Sequence, residues 1–182
     1  YYEAHKTFPP AYISSKDGKP LLSWRVAILP YMEQKAPALY SQFHLDEPWD
    51  SAHNRTLLDK MPAPFRSPDS KFPHKDRTNY LVPVGADTAF PGREGITLLG
   101  IPDGPANTIF VVEADDDYAV PWTKPQDLSF DPQDPARGLG GLHKKMFLAL
   151  FGDGHVQQVT LPMAPDKLRA LFTRSGGEAV SP

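Results

Sequence analysis

The order of hydrophobic patterns along this 182-residue chain predicts an α+β fold with a mostly antiparallel sheet. Three observations lead there. Helix-spaced apolar residues come first, between Trp24 and about Asp59; β-branched and aromatic runs follow at Thr78–Val84, Thr108–Glu113 and Met146–Phe151; one amphipathic stretch, Pro165–Arg174, comes last. Proline supplies 21 of the 182 residues, against an average near ~5%. It cannot donate a ladder hydrogen bond and it breaks helix interiors, so short elements and long, pinned loops are expected.

The length fits one domain, residues 1–182, able to bury about 70% of the surface of its unfolded form. There are no cysteines, which excludes a disulfide framework, a thiolate metal site and a cysteine nucleophile. The net charge is −3 and the 19 basic residues are scattered, which argues against nucleic acid as a partner. No run approaches the ~20 apolar residues of a membrane span. The chain opens at Tyr1-Tyr2-Glu3-Ala4-His5 without a methionine, so a targeting or membrane segment ahead of it is an expectation.

Taken in order, residues 1–7 read as the last turns of a helix that stops before Pro9-Pro10. Lys16–Pro20 is a turn. Ser23 is positioned to cap a helix presenting Trp24, Ala27, Ile28 and Tyr31, with Pro30 splitting it. A short helix is expected over Pro37–Phe43, and another over Ala52–Asp59 capped by Asp50 or Ser51, before the prolines at 62, 64 and 68 force an extended path. Thr78–Val84 reads as a strand ending near Pro83, Thr108–Glu113 as a strand, and Ala114–Pro135 as loop. The apolar run Met146–Phe151 reads as a buried strand covered on both faces. Asp153-Gly154 then predicts a tight two-residue turn into a return strand over His155–Leu161. Pro165–Arg174 is a helix, with Gly176-Gly177 as its C-terminal cap.

The segments SWRVAILPYMEQ, LDEPWDSAHNRTLLDKMP, TNYLVPVG, DGPANTIFVVEA, VPWTKPQDL and GGLHKKMFLALFGDGHV, in that order, resemble the bacterial DUF1559 family from about Phe8 to Glu178. Members of that family carry a prepilin-type N-terminal methylation segment and a C-terminal H-X9-DG element, matched by His143, Asp153 and Gly154. The resemblance implies an exported pilin-like or pseudopilin-like protein, cell-surface or periplasmic, anchored to the membrane by a hydrophobic helix preceding Tyr1. That helix would mediate self-assembly or contact with protein partners. Where members often have Cys-Pro-Ser, this chain has Arg66-Ser67-Pro68, so a disulfide at that point is lost. The family's biochemical role is not established.

Several residues invite chemistry. His143 and Asp153 frame the apolar strand, but ten residues of strand separate them by up to ~33 Å, so they are read as structural: Asp153 and Gly154 shape the hairpin and His143 bonds a loop. Glu113, Asp115, Asp116 and Asp117 are the best metal candidates, with calcium the suited ion, although EF-hand spacing and its loop glycine are missing and a solvated acidic loop is the preferred reading. Glu113 stands out because apolar residues precede it. Trp122, between prolines in PWTKP, is the better candidate for stacking on a glycan or another ligand, the alternative being a plug that holds its loop against the body, whereas Trp24 belongs to the core. A hydrolase using His53, Asp50 and a serine has no motif to select it, and His44 and His74 are irregularly placed. The preferred function is a non-enzymatic assembly or adhesion domain with no resident cofactor. The alternatives are a module binding carbohydrate or a divalent cation, and a hydrolase with an unrecognised site.

Overall fold

A computed structural model describes residues 1–33, 35–71 and 75–176. Helix α1 (Tyr2–His5) leads to the hairpin of β1 (Tyr12–Ser14) and β2 (Pro20–Ser23), then to α2 (Trp24–Ala27) and α3 (Ala36–Tyr40). Three short strands follow, β3 (Arg77–Thr78), β4 (Tyr80–Leu81) and β5 (Pro83–Val84), and then β6 (Ile109–Glu113). The chain continues through β7 (Val120–Pro121), β8 (Leu128–Ser129), β9 (Met146–Phe151), β10 (Val156–Thr160) and α4 (Pro165–Phe172). The main sheet runs β10-β9-β6-β4 with every neighbouring pair antiparallel, whereas β5 and β8 pair in parallel. Helices and antiparallel strands together make the fold α+β.

Ser23 caps α2 as its position predicts, its Oγ accepting from the Arg25 N–H at 3.3 Å. Pro30 splits the stretch, leaving a separate 3₁₀ turn at Leu29–Tyr31. The expected α-helix over Ala52–Asp59 is instead a 3₁₀ run, Asn54–Lys60. The Thr56 N–H and hydroxyl both bond the His53 carbonyl, at 3.0 and 2.7 Å, which competes with the longer i→i−4 bond an α-helix requires there. Ser51 still acts at the start, accepting from the Asn54 N–H at 3.0 Å.

The single strand expected over Thr78–Val84 breaks into three, each with its own partner: β3 with β7, β4 with β6, and β5 with β8. The breaks fall at Asn79, whose carbonyl and side chain bond the Ala114 backbone, and at Val82, whose N–H goes to the Asp127 carboxylate. Strands β7 and β8 lie inside the stretch expected to be loop.

The turn between β9 and β10 is longer than the two residues expected. Gly154 donates to the Phe151 carbonyl and Phe151 to the His155 carbonyl, so Gly152, Asp153 and Gly154 form a three-residue loop with Gly154 at φ 96°. A turn built on Gly152 and Asp153 places the Asp-Gly pair one residue later than a two-residue turn would.

Alternate residues of β9 face opposite sides. Phe147, Ala149 and Phe151 are buried against Leu168, Leu171 and Phe172 of α4. The other face is not closed as expected: Leu148 and Leu150 are half-buried, and Val156, opposite Leu150, is 63% exposed. With Val111 they floor a groove of about 440 Å³, walled by Trp24, Ile28, Met32 and Phe65. Helix α4 ends at Phe172, where the Thr173 N–H closes on the Arg169 carbonyl. Gly176 does not cap it but donates to Asp103, and Gly177 lies outside the described residues.

Candidate functional site

Strand β6 is apolar until its last residue. Glu113 pairs directly with Tyr80 and lies two residues after Val111, so its side chain points to the groove face of the sheet. It is only 2% exposed, and a carboxylate so buried needs partners. Ser67 Oγ donates to Oε1 at 2.5 Å, and His143 Nε2 meets Oε2 at 2.7 Å. Asp69 Oδ2 lies 4.0 Å from the same imidazole nitrogen, on a side chain that is 58% exposed. Tyr80 faces the group: burial first, then the negative charges of Glu113 and Asp69, push its phenol up to about 12. Among the described residues no lysine or arginine forms an ion pair with Glu113 or Asp69. One ligand atom each from Asp69, Glu113 and His143 lie within 4.8 Å of one another.

Two loops carry the partners to Glu113. The Ser67–Lys71 loop is held at Ser67, whose Oγ accepts from the Asp69 N–H, and at Asp116, whose carboxylate accepts from Ser70 Oγ, the Lys71 N–H and Asn79 Nδ2 at 2.7–3.0 Å. Burial opposes the Asp116 charge, yet these three donors hold the carboxyl below the ordinary carboxylate range. Asp115 secures the other loop by accepting from the N–H groups of Gly141 and Leu142 at 2.6 and 3.0 Å. A Cβ on Gly141 would sit 2.9 Å from that carboxylate, so a larger residue there would push the Asp115 side chain aside. Directly after His143, Lys144 and Lys145 adopt φ of 50° and 71°, a left-handed conformation that costs a non-glycine residue energy. The Lys145 N–H to Gly140 carbonyl bond and the Leu161 N–H to Lys145 carbonyl bond enforce it.

The four acids considered as calcium ligands therefore diverge. Glu113 turns to His143, Asp115 to the histidine loop and Asp116 to the serine loop, while Asp117 is exposed. The change from extended strand to the 3₁₀ turn at Asp116–Tyr118 sends successive side chains in different directions. Trp122 is fully buried: its ring stacks on Phe65, its edge meets Phe43 and its Nε1 donates to the Leu58 carbonyl at 2.9 Å. Neither ring face is open to a glycan, so Trp122 plugs its proline-rich loop into the core.

His143 and Asp153 stay at opposite ends of β9, as strand length requires. Asp153 accepts from the His155 N–H at 3.1 Å and meets His155 Nδ1 at 2.6 Å, while His143 reaches a neighbouring strand rather than a loop. His53 stacks on His44 at 3.6 Å and directs Nε2 to the Gln42 carbonyl, whereas His74 lies outside the described residues. Ser67 directs its proton to Glu113 and not to an imidazole, so the hydroxyl is not part of a serine–histidine pair. Sequence reasoning missed Ser67, Asp69 and Tyr80, which reach Glu113 only through the tertiary fold.

Fold and site together define a small α+β domain whose central strand ends in a buried carboxylate held by a serine and a histidine. The chain belongs to the DUF1559 family, described as a protein of unknown function, whose family model matches residues 1–96. The matched part includes Ser67, Asp69 and Tyr80 and ends before Glu113 and His143. No curated protein matches the chain, and no solved structure does.

Proposed function

We propose that the chain is the globular part of an exported, pilin-like protein that works by assembly or adhesion and not by catalysis. The observation behind this reading is the apolar groove on the sheet face opposite α4. Leu148, Leu150, Val111 and Val156 leave apolar surface in contact with water, and covering it gains about 25 cal/mol per Å². The proposed occupant is an apolar helix of the assembled protein, the element that the prepilin-type resemblance implies. Helix α1 supports the reading as a helical start fixed to the body, with Tyr1 packed against Tyr31 and Tyr2 against Phe8. The protein would then be extracytoplasmic and membrane-anchored, with protein partners or further copies of itself.

None of these 182 residues is a cysteine, so a thiol introduced here is the domain's own label. With Val156→Cys in the full-length protein, maleimide should label the isolated domain readily and the assembled envelope fraction poorly until detergent disrupts it. Recovery of the protein from the cytosol, or equal labelling of both forms, would overturn the reading.

A further inference from the structure

We propose that Glu113, His143 and Asp69 bind a divalent transition-metal cation of the zinc class. This assignment is independent of the assembly role proposed above, and three features of the cluster carry it.

The donor geometry is nearly made. Zinc takes nitrogen and carboxylate oxygen at about 2.1 Å, which for tetrahedral ligands means separations of about 3.4 Å. Glu113 Oε2 and His143 Nε2 stand 2.7 Å apart, and Asp69 Oδ2 and His143 Nε2 4.0 Å, so these two separations change by less than ~1 Å on binding, and the Asp69 and Glu113 oxygens start within 4.8 Å of one another. The side chain that has to close in is Asp69, the exposed member of the three.

The surroundings also select the donor atoms. Ser67 occupies Oε1 of Glu113 and leaves Oε2 to face the imidazole, the kind of outer hydrogen bond that orients a metal-bound carboxylate. Asp115 and the left-handed Lys144-Lys145 pair fix the backbone that presents His143. The charge is unbalanced as well: two carboxylates converge, one of them buried, and no lysine or arginine among the described residues pairs with either. A divalent cation supplies that charge. Imidazole with two carboxylates suits zinc or cobalt better than calcium, which takes six to eight oxygens. Three protein ligands leave the fourth position open on the Asp69 side, for water or a donor from a partner.

The test uses the purified chain, stripped with chelator and titrated with Zn²⁺, Co²⁺ and Ca²⁺. One equivalent of Zn²⁺ or Co²⁺ should bind, Co²⁺ should develop visible d–d absorption, and melting should rise with both but not with Ca²⁺. Asp69→Asn should weaken Zn²⁺ binding at least ~10-fold, while the metal-free variant melts with the parent because no buried partner is lost. His53→Ala should leave binding intact, since the stacked His44–His53 pair, with His44 exposed and His53 half-buried, is a competing zinc ligand. Failure to bind Zn²⁺, an equal response to Ca²⁺, unchanged binding in Asp69→Asn, or loss of binding in His53→Ala would each overturn the assignment.

Discussion

Ser67 Oγ stands between two demands. It accepts from the Asp69 N–H at 3.2 Å and gives its one proton to Glu113 at 2.5 Å, so a single hydroxyl shapes the loop and solvates a buried charge. Replacing Ser67 with alanine removes a donor from a carboxylate that water does not reach, a loss worth about 1.5–3 kcal/mol for a charged acceptor. Urea unfolding of Ser67→Ala should show that cost, while metal-free Asp69→Asn should stay within about 0.5 kcal/mol of the parent. Equal effects of the two substitutions would mean that Glu113 is less dependent on its donors than their distances indicate. Glu113 and His143 were both visible in the sequence, one as a charge closing an apolar strand and the other as one end of the H-X9-DG element. Their pairing was not, because 30 residues separate them and nothing local encodes the meeting. Ser67 lies 46 residues from Glu113 and carries no pattern of its own.

At the scale of elements, the same limit explains what the sequence could and could not deliver. Strand β9, its turn region, the Ser23 cap and α4 rest on near neighbours, and their periodicity was readable. The division of Thr78–Val84 among three partners was not, because it depends on distant groups. One is the Asp127 carboxylate, which accepts from Val82 N–H, Trp24 Nε1 and Arg25 Nη2 at 2.9, 3.1 and 2.6 Å. Burial pushes the Asp127 carboxyl up and the Arg25 guanidinium down, each toward its neutral form, and their mutual attraction opposes both shifts. Asp116 plays a comparable part for the Ser67–Lys71 loop, and there the shift has a testable sign. Its carboxyl titrates lower folded than unfolded, so the ionised form stabilises the fold above the unfolded value near ~3.9 and the contribution disappears as pH falls through the folded value. Asp116→Asn, which loses the acceptor for the Lys71 N–H, should lower the urea midpoint near neutral pH. Its gap from the parent should then narrow between about pH 5 and about pH 3. A gap that stays constant across that range would sink the idea.

The whole molecule is built on two apolar clusters, and β6 belongs to both. Phe110 packs into the first with Trp24 and Trp122, whereas Ile109 and Val112 pack into the second with Phe147, Phe151, Leu168 and Phe172. The register shift between Ile109 and Val111 makes this possible, because an extra residue in one strand of an antiparallel pair redirects a side chain to the opposite face. A strand that cannot leave one cluster without disturbing the other should make the domain unfold as one unit. The distribution of tryptophan offers a direct test. Trp24 and Trp122 lie in the first cluster and Trp49 packs against it, so fluorescence reports that side alone. Phe172 is fully buried in the second cluster, between Phe130 and Phe147. Phe172→Ala should cost about 3–5 kcal/mol through the cavity it leaves. If β6 couples the clusters, tryptophan fluorescence and far-ultraviolet circular dichroism will shift together to one lower urea midpoint, although no tryptophan is in the cluster that was changed. A fluorescence midpoint that stays with the parent while the circular dichroism midpoint falls would show two independently folding halves, with β6 as a hinge and not a shared wall.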